Sequence, residues 1–170
     1  ERQTWSVAGF HNTVTDLIQF VTVSFDPFVG ENRNVERARI TGIDLDWQYS
    51  GDLWMLRAGT NLQNPKDLSN DGRLLRRARR NTTFAVSRRI GDGRFGIDVL
   101  AAGDRRDFGF PEPVRLGGYV LANLSAQWTF ADRFTLTARV ENLFDRDYEL
   151  ASGYNTPGRS LFASLRYSLR

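Results

Sequence analysis

The chain has 170 residues, 41% of them apolar, and no run approaches the ~20 consecutive apolar residues of a transmembrane helix, so a helical membrane protein is excluded. A membrane barrel is compatible with this composition, because its strands are only half apolar. The absence of cysteine excludes disulfides and thiol chemistry, and the net charge of +3, with 23 basic and 20 acidic residues interleaved, argues against nucleic-acid binding.

The first third of the chain reads as strands. One strand is predicted at Gln3–Val23 and is followed by a loop at Phe25–Val35, which contains proline, glycine and asparagine. Alternation of apolar and polar side chains predicts two more strands at Ala38–Tyr49 and Leu53–Leu62. The turn Ser50–Asp52 between them is short, as in a hairpin.

The rest of the chain continues the pattern, giving about eight strands in all. Further strands are predicted at Arg76–Ile90, Arg94–Ala102 and Gly118–Phe130, and a final hairpin runs from Arg133 to Leu169. Short turns are predicted at Gly91–Gly93 and Ala131–Asp132, and long loops at Asn64–Leu75, Asp104–Leu116 and Leu150–Pro157. Alternating short turns and long loops are typical of antiparallel, up-and-down membrane barrels.

The predicted strands each have one apolar face. In the final hairpin, Leu136 and Val140 share a face, and Thr137 and Arg139 share the other. Aromatic residues also lie within a few positions of a short turn or of the chain end: Trp47, Tyr49, Trp54, Phe95, Trp128, Phe130, Phe134 and Tyr167. Such a ring is typical of a membrane interface, although the periodicity alone leaves a soluble sandwich or small barrel open.

Two features that suggest enzyme chemistry are interpreted structurally. Gly91, Gly93 and Gly96 have the spacing of a dinucleotide-binding loop, which requires a following helix, but a strand is predicted there. His11 is the only histidine, and no nucleophile–base pair is evident from spacing. We therefore expect no enzymatic activity, no cofactor and no catalytic residues.

One loop resembles the start of a calcium site. Asp67, Ser69, Asp71 and Gly72 have the right order, but Ala78 stands where the bidentate glutamate belongs. We expect a polar loop and no metal site, with weak calcium binding as the alternative.

The final hairpin contains a recognisable string. Four elements precede a closing amphipathic strand: Asn142–Asp145, Asp147-Tyr148, Gly153-Tyr154 and Pro157–Arg159. This resembles the C-terminal signature of TonB-dependent outer-membrane receptors, the gated transporters of Gram-negative bacteria. Within that family the similarity is closest to cobalamin (vitamin B12) receptors.

The resemblance implies that residues 1–170 are the C-terminal part of a larger, plugged barrel in the outer membrane, about its last eight strands. The plug domain, the earlier strands and the segment that contacts TonB are expected to lie outside this sequence. The implied function is cobalamin uptake. A ferric-siderophore receptor shares the signature and is one alternative, and a self-closed eight-stranded structural barrel is another.

The resemblance also implies site residues. The string Leu74–Ala78 is similar to one in cobalamin receptors whose first arginine reaches the substrate, which is Arg76 in this chain. If they do not contact substrate, the arginines of this string would project into the lumen or towards the lipid and lipopolysaccharide headgroups. Arg105, Phe108 and Phe110, in the next long loop, are further candidate substrate contacts.

Overall fold

The computed structural model describes residues 2–69, 71–109, 112–131 and 133–169, and within these it describes 17, 19–22, 25 and 33–36 by their backbone alone. The predicted turn residue Asp132 and the candidate contact Phe110 lie outside the described residues. The strands are β1 (Arg2–Phe25), β2 (Phe28–Ser50), β3 (Trp54–Asp67), β4 (Arg80–Ile90), β5 (Gly93–Ala102), β6 (Arg105–Asp107), β7 (Val114–Leu116), β8 (Tyr119–Phe130), β9 (Phe134–Glu141) and β10 (Ser160–Tyr167).

The strands form one antiparallel sheet and a small ribbon. In the part of the chain that the structure describes, eight strands pair in the order β1-β2-β3-β4-β5-β8-β9-β10, and β6 pairs with β7. The antiparallel all-β prediction is thus confirmed. No ladder joins β1 to β10 among these residues, so the sheet is open at both edges, and the self-closed eight-stranded barrel is not formed.

The strand register sorts side chains into apolar and polar rows, because residues directly opposite each other share a face. One row crosses seven strands and is apolar throughout: Tyr49, Leu56, Val86, Ile97, Leu124, Val140 and Leu161. A row on the other face is polar throughout: Arg89, Arg94, Gln127, Thr137 and Ser164. The alternation predicted from the sequence therefore extends across the sheet from β2 to β10.

Within the described ranges of the chain, nothing packs over the apolar face. Leu45 is 39% exposed, Ile97 45% and Leu136 44%, and the β6–β7 ribbon is the only other sheet among the described residues. A soluble sandwich would cover such a face with a second sheet, whereas a membrane barrel turns it to hydrocarbon. No helix in the described chain is long and apolar enough to cross a membrane.

The predicted aromatics gather at the end of the sheet with the short turns. Trp47 packs on Trp5, which was not among the predicted aromatics, at 5.8 Å between ring centroids, and Phe95 packs on Trp128 at 6.3 Å. Farther along, Phe134 contacts both Phe130 and Tyr167, at 5.4 and 4.9 Å. Adjacent strands thus place their rings at one level, as in the aromatic girdle of a membrane barrel.

The largest difference from the sequence prediction is the first hairpin. Most of the expected loop at Phe25–Val35 is strand instead, since β1 and β2 stay paired out to Phe25 and Phe28 and only residues 26–27 form a turn. The pairing of β2 with β3 ends at Ala38, which lies opposite Asp67. Residues 28–37 of β2 pair with β1 alone. About ten residues at ~3.3 Å each extend this two-stranded ribbon ~33 Å past its neighbour.

Other boundaries also shift. β3 continues to Asp67, where a loop was predicted from Asn64, and β4 begins at Arg80 rather than at Arg76. The predicted loop Asp104–Leu116 contains the short β6–β7 ribbon. These shifts move Arg76 out of the wall and into a loop.

Most of the buried residues lie at the end of the sheet that carries the long loops. Described residues with less than one tenth of their surface exposed include Leu74, Ala78, Ala102, Leu116 and Tyr119. All of them lie in these loops or where a strand joins one. The loop end is therefore the packed part of the molecule, and it carries the candidate site.

Candidate functional site

Three long loops emerge from the end of the sheet opposite the aromatic ring. They are the first long loop (68–79), the second long loop (103–118) and the third long loop (142–159). Antiparallel pairing puts them on the same side, since the short turns after β2, β4 and β8 occupy the other. In a membrane barrel, the long loops are the extracellular ones.

A single carboxylate joins all three loops. Asp107, in β6, is 0% exposed. Its Oδ1 accepts a hydrogen bond from Nε of Arg76 at 2.7 Å and from the backbone N–H of Phe108 at 2.8 Å. Its Oδ2 accepts from the backbone N–H of Ser152 in the third loop at 2.6 Å.

The predicted contact Arg76 lies at this junction. Its backbone N–H donates to the carbonyl of Arg106 at 2.7 Å, and its φ of 58° places it in the left-handed region, which is unusual for a residue with a side chain. Its side chain is 51% exposed, and its Cζ lies 5.1 Å from the ring centroid of Phe108. The structure therefore brings two of the predicted contacts together.

Arg105 occupies a different environment. It is 7% exposed, its Cζ lies 5.1 Å from the ring of Tyr119, and Tyr119 packs on Tyr148 of the third loop at 4.4 Å. Its Nε and Nη2 have no hydrogen-bond partner within the described part of the chain. Arg105 thus lies under the loops rather than beside Arg76 at their surface.

A second carboxylate ties the first loop to the second. Asp104 Oδ2 lies 3.4 Å from Nη1 of Arg73 and 3.3 Å from Nε of Arg115. Nη2 of Arg73 also donates to the carbonyl of Asp104 at 2.9 Å. This pairing is more exposed than that of Asp107, with one third of the Asp104 side chain accessible.

Both carboxylates are held in the charged form. Burial alone would raise the pKa of Asp107, but hydrogen bonds from Ser152, Arg76 and Phe108 outweigh it and lower the pKa below the usual value. The pKa of Asp104 is likewise lowered, since the charges of Arg115 and Arg73 outweigh its desolvation. As ionised carboxylates, both residues offer only acceptor oxygens to these N–H groups.

The signature string folds the third loop back onto the wall. Asn142 is 4% exposed, and its side-chain oxygen accepts from the backbone N–H of Arg146 at 2.8 Å. Asp145 Oδ1 accepts from the backbone N–H of Arg159 at 2.7 Å, and the hydroxyl of Thr156 donates to the carbonyl of Tyr148 at 2.6 Å. The string is therefore a closed turn that fixes the loop between β9 and β10.

The loop that resembles a calcium site is bonded internally. Oδ1 of Asp67 accepts from both the backbone N–H and the hydroxyl of Ser69, and Asp71 Oδ1 lies 3.5 Å from Nζ of Lys66. Among the described residues, no three His, Cys, Asp or Glu side chains group as metal ligands would.

Sequence reasoning missed Asp107, Ser152 and Asp104. The hydrogen-bond partners of Asp107 in the first and third loops lie 31 and 45 positions away in the chain, so no local spacing reveals them. Arg105–Asp107 offered a weak signal, because a carboxylate beside arginines in a loop is often an ion-pair partner.

Comparisons with known proteins agree on one class. Residues 1–143 match the family model described as TonB dependent receptor-like, beta-barrel. A vitamin B12 transporter, BtuB, of Vibrio vulnificus is 31% identical over 172 aligned positions, which cover 95% of this chain and 26% of that protein.

Solved structures have the same fold. The copper transporter OprC superposes with a TM-score of 0.82 at 22% identity, over 98% of this chain and 29% of that one. The ferripyoverdine receptor of Pseudomonas aeruginosa gives 0.75 at 17% identity, over 98% and 25%. The chain thus spans between a quarter and a third of the length of each relative.

Proposed function

This chain belongs to the TonB-dependent receptor family, as part of its outer-membrane β-barrel, and from that premise we propose that it forms the closing strands and three external loops of a cobalamin transporter. The identity of 31% to a vitamin B12 transporter supports this substrate. The copper and pyoverdine proteins are less than 25% identical, so they support the fold alone. No catalytic step is proposed.

The observation that carries the proposal is the environment of Arg76. Within the described chain, its guanidinium makes one hydrogen bond, from Nε to Asp107, while half of the side chain is exposed. The two terminal amino groups can therefore donate to a ligand above the loops. Cobalamin offers amide and phosphate oxygens, for which arginine's planar fork of donors is suited.

Phe108 extends this surface. It is partly exposed, and its ring lies against the guanidinium of Arg76, so an apolar contact lies next to a donor. Arg105 is buried, and we assign it a supporting role below the surface.

We propose that the rest of the receptor supplies what these loops lack. Its plug domain and the segment that engages TonB would precede the strands of this chain. Substrate would bind at the external loops, and TonB would act on the plug. In this scheme, the present residues supply wall and binding surface and do not transport alone.

Arg80, on the apolar face of the sheet, is suited to contact lipid headgroups. Arg80 shares the face of Thr82 and Phe84, about eight residues along β4 from Arg88, whose guanidinium lies over the ring of Trp54. That distance is ~26 Å along the strand and ~20 Å along the membrane normal at a tilt of ~40°. We propose that Arg80 lies at the outer headgroup level and meets phosphate groups of lipopolysaccharide.

Binding to the intact receptor tests the substrate. We expect purified receptor to bind cobalamin and Arg76→Ala to weaken binding at least about tenfold, as loss of a charge-assisted hydrogen bond would. Arg77→Ala is the matched control, because Arg77 is the next residue and is also exposed, and it should stay within about twofold. Binding of a ferric siderophore without cobalamin would overturn the substrate assignment.

A further inference from the structure

Asp107 and Arg76 form an asymmetric ion pair. The carboxylate is 0% exposed and the guanidinium side chain is 51% exposed, although their atoms are 2.7 Å apart. The buried partner therefore fixes the position of the exposed one. The first loop reaches this carboxylate through a side chain, and the third loop reaches it through the backbone N–H of Ser152.

We propose that Asp107 is the positioning residue of the binding surface: it orients Arg76 towards the ligand and latches the third long loop to the other two. The part that concerns ligand rests on the proposed function. The latch itself does not, because it joins residues of the chain to one another. Asp107 does not touch the ligand and acts through Arg76 and Ser152.

The chemistry requires a carboxylate at this position. Three N–H donors converge on Asp107, one from a guanidinium and two from the backbone, and an ionised carboxylate has only acceptors to offer them. Asparagine has nearly the same volume but presents one acceptor oxygen and an amino group. At least one of the three donors would then face another donor, which is unfavourable.

The same geometry orients the arginine. Nε of Arg76 is used by Asp107 and the guanidinium lies over the ring of Phe108, so the orientation of the planar group is set before ligand arrives. A preoriented donor loses less conformational entropy on binding. Because Ser152 is bonded to the other oxygen of the same carboxylate, the orientation of Arg76 and the closure of the third loop depend on one group.

Spin labelling of the intact receptor tests, in the absence of ligand, whether Asp107 holds the third long loop in place. The chain has no cysteine, so Tyr154→Cys, at a residue that is 71% exposed in the third loop, gives a single attachment site once cysteines outside these residues are replaced by serine. Asp107→Asn should convert the label's spectrum towards higher mobility. Asp104→Asn is the matched control, since Asp104 is ion-paired three positions away but has no hydrogen bond to the third loop in the described chain, and it should leave the spectrum unchanged.

The affinity of the receptor for cobalamin then tests whether Asp107 orients Arg76. Asp107→Asn should weaken binding about tenfold when Arg76 is present and less than about twofold in the Arg76→Ala background, because its effect passes through that side chain. Equal weakening in both backgrounds would overturn the positioning role. Unchanged label mobility in Asp107→Asn would overturn the latch.

The two proposals fail in different ways. If Arg76→Ala leaves cobalamin affinity unchanged while Asp107→Asn frees the label, the substrate contact is wrong and the latch stands. If Arg76→Ala weakens binding while Asp107→Asn changes neither mobility nor affinity, the substrate contact stands and the role of Asp107 is wrong.

Discussion

The backbone N–H of Asn142 donates a hydrogen bond of 2.9 Å to the side-chain oxygen of Asn123, which joins the start of the third long loop to β8. Next to it, the N–H of Leu143 donates to the carbonyl of Ala122 at 2.8 Å. The loop therefore leaves β9 still attached to the neighbouring strand, and Asn142 decides how it turns away.

Replacing Asn142 should loosen the third loop. Asn142 has a φ of 50°, a conformation that costs an alanine about 1 kcal/mol or more, and its buried amide bonds to Arg146 are worth about 1–3 kcal/mol. Asn142→Ala should therefore speed tryptic cleavage after the exposed Arg146 and Arg159 in the intact receptor.

Asn142→Gly separates the two causes, because glycine adopts positive φ without strain but lacks the amide. It should be cleaved at a rate between those of the wild type and Asn142→Ala. Equal cleavage of all three proteins would show that the amide does not hold the loop.

The close fit at Gly42 gives a second prediction. A Cβ added at Gly42 would meet the backbone oxygen of Leu62 and the ring of Phe10, which lies directly across from Gly42 on β1. Gly42→Ala should lower the free energy of unfolding of the intact receptor in detergent by about 1–3 kcal/mol, as overpacking does.

Gly9→Ala is the matched control for that change. Gly9 lies in the next rung of the same ladder, opposite Ile43, and a Cβ there meets nothing within 4 Å. It should change stability by less than about 0.5 kcal/mol. Similar losses in both variants would contradict the fit between Phe10 and Gly42.

Acid should release the loops only at low pH. A depressed carboxylate pKa contributes stability that is complete above the unfolded value of about 3.9 and is lost as pH falls through the folded value. The pKa of Asp107, whose carboxylate holds the third loop, is lowered, so a label at Tyr154→Cys should keep its spectrum from about pH 7.5 to about pH 5 and become mobile only below about pH 4. A transition between about pH 5 and about pH 7 would contradict this.

Arginine substitutions on opposite faces of β4 should differ in cost. Phe84 lies in an apolar row with Ala58 and Val99, and Thr83 lies on the other face opposite Gly59 and Leu100. Phe84→Arg should destabilise the receptor in lipid by about 2–4 kcal/mol and Thr83→Arg by less than about 1 kcal/mol, as measured by denaturant midpoints in vesicles. A reversed order would mean that the faces are assigned the wrong way round.

The alternation of apolar and polar side chains along the strands was predictable from the sequence because the two faces of the sheet have different environments. Leu136 and Thr137 carry that signal themselves, and β9 begins at Phe134, one residue after the predicted start of the final hairpin. The ribbon at β1–β2 was not predictable, because Pro27, Gly30 and Asn32 are loop residues by composition, yet cross-strand pairing continues through Gly30 and Asn32.

The site was predictable only in part. The resemblance singled out Arg76, and the structure places it at the loop surface beside Phe108. Asp107 was not foreseen, because its role arises from partners in the first and third loops that meet only after the strands have paired. The burial of Arg105 follows from the same loop packing.

The central claim is that the row containing Val99 faces hydrocarbon, and a spin-label scan along β5 tests it most directly. Labels at Phe95, Ile97, Val99 and Ala101 in the intact receptor, reconstituted in bilayers, should collide mainly with lipid-soluble oxygen. Labels at the intervening positions Gly96, Asp98 and Leu100 should not. Low collision rates with both oxygen and a polar nickel reagent at Val99 would show a packed protein interior there and would contradict the membrane wall.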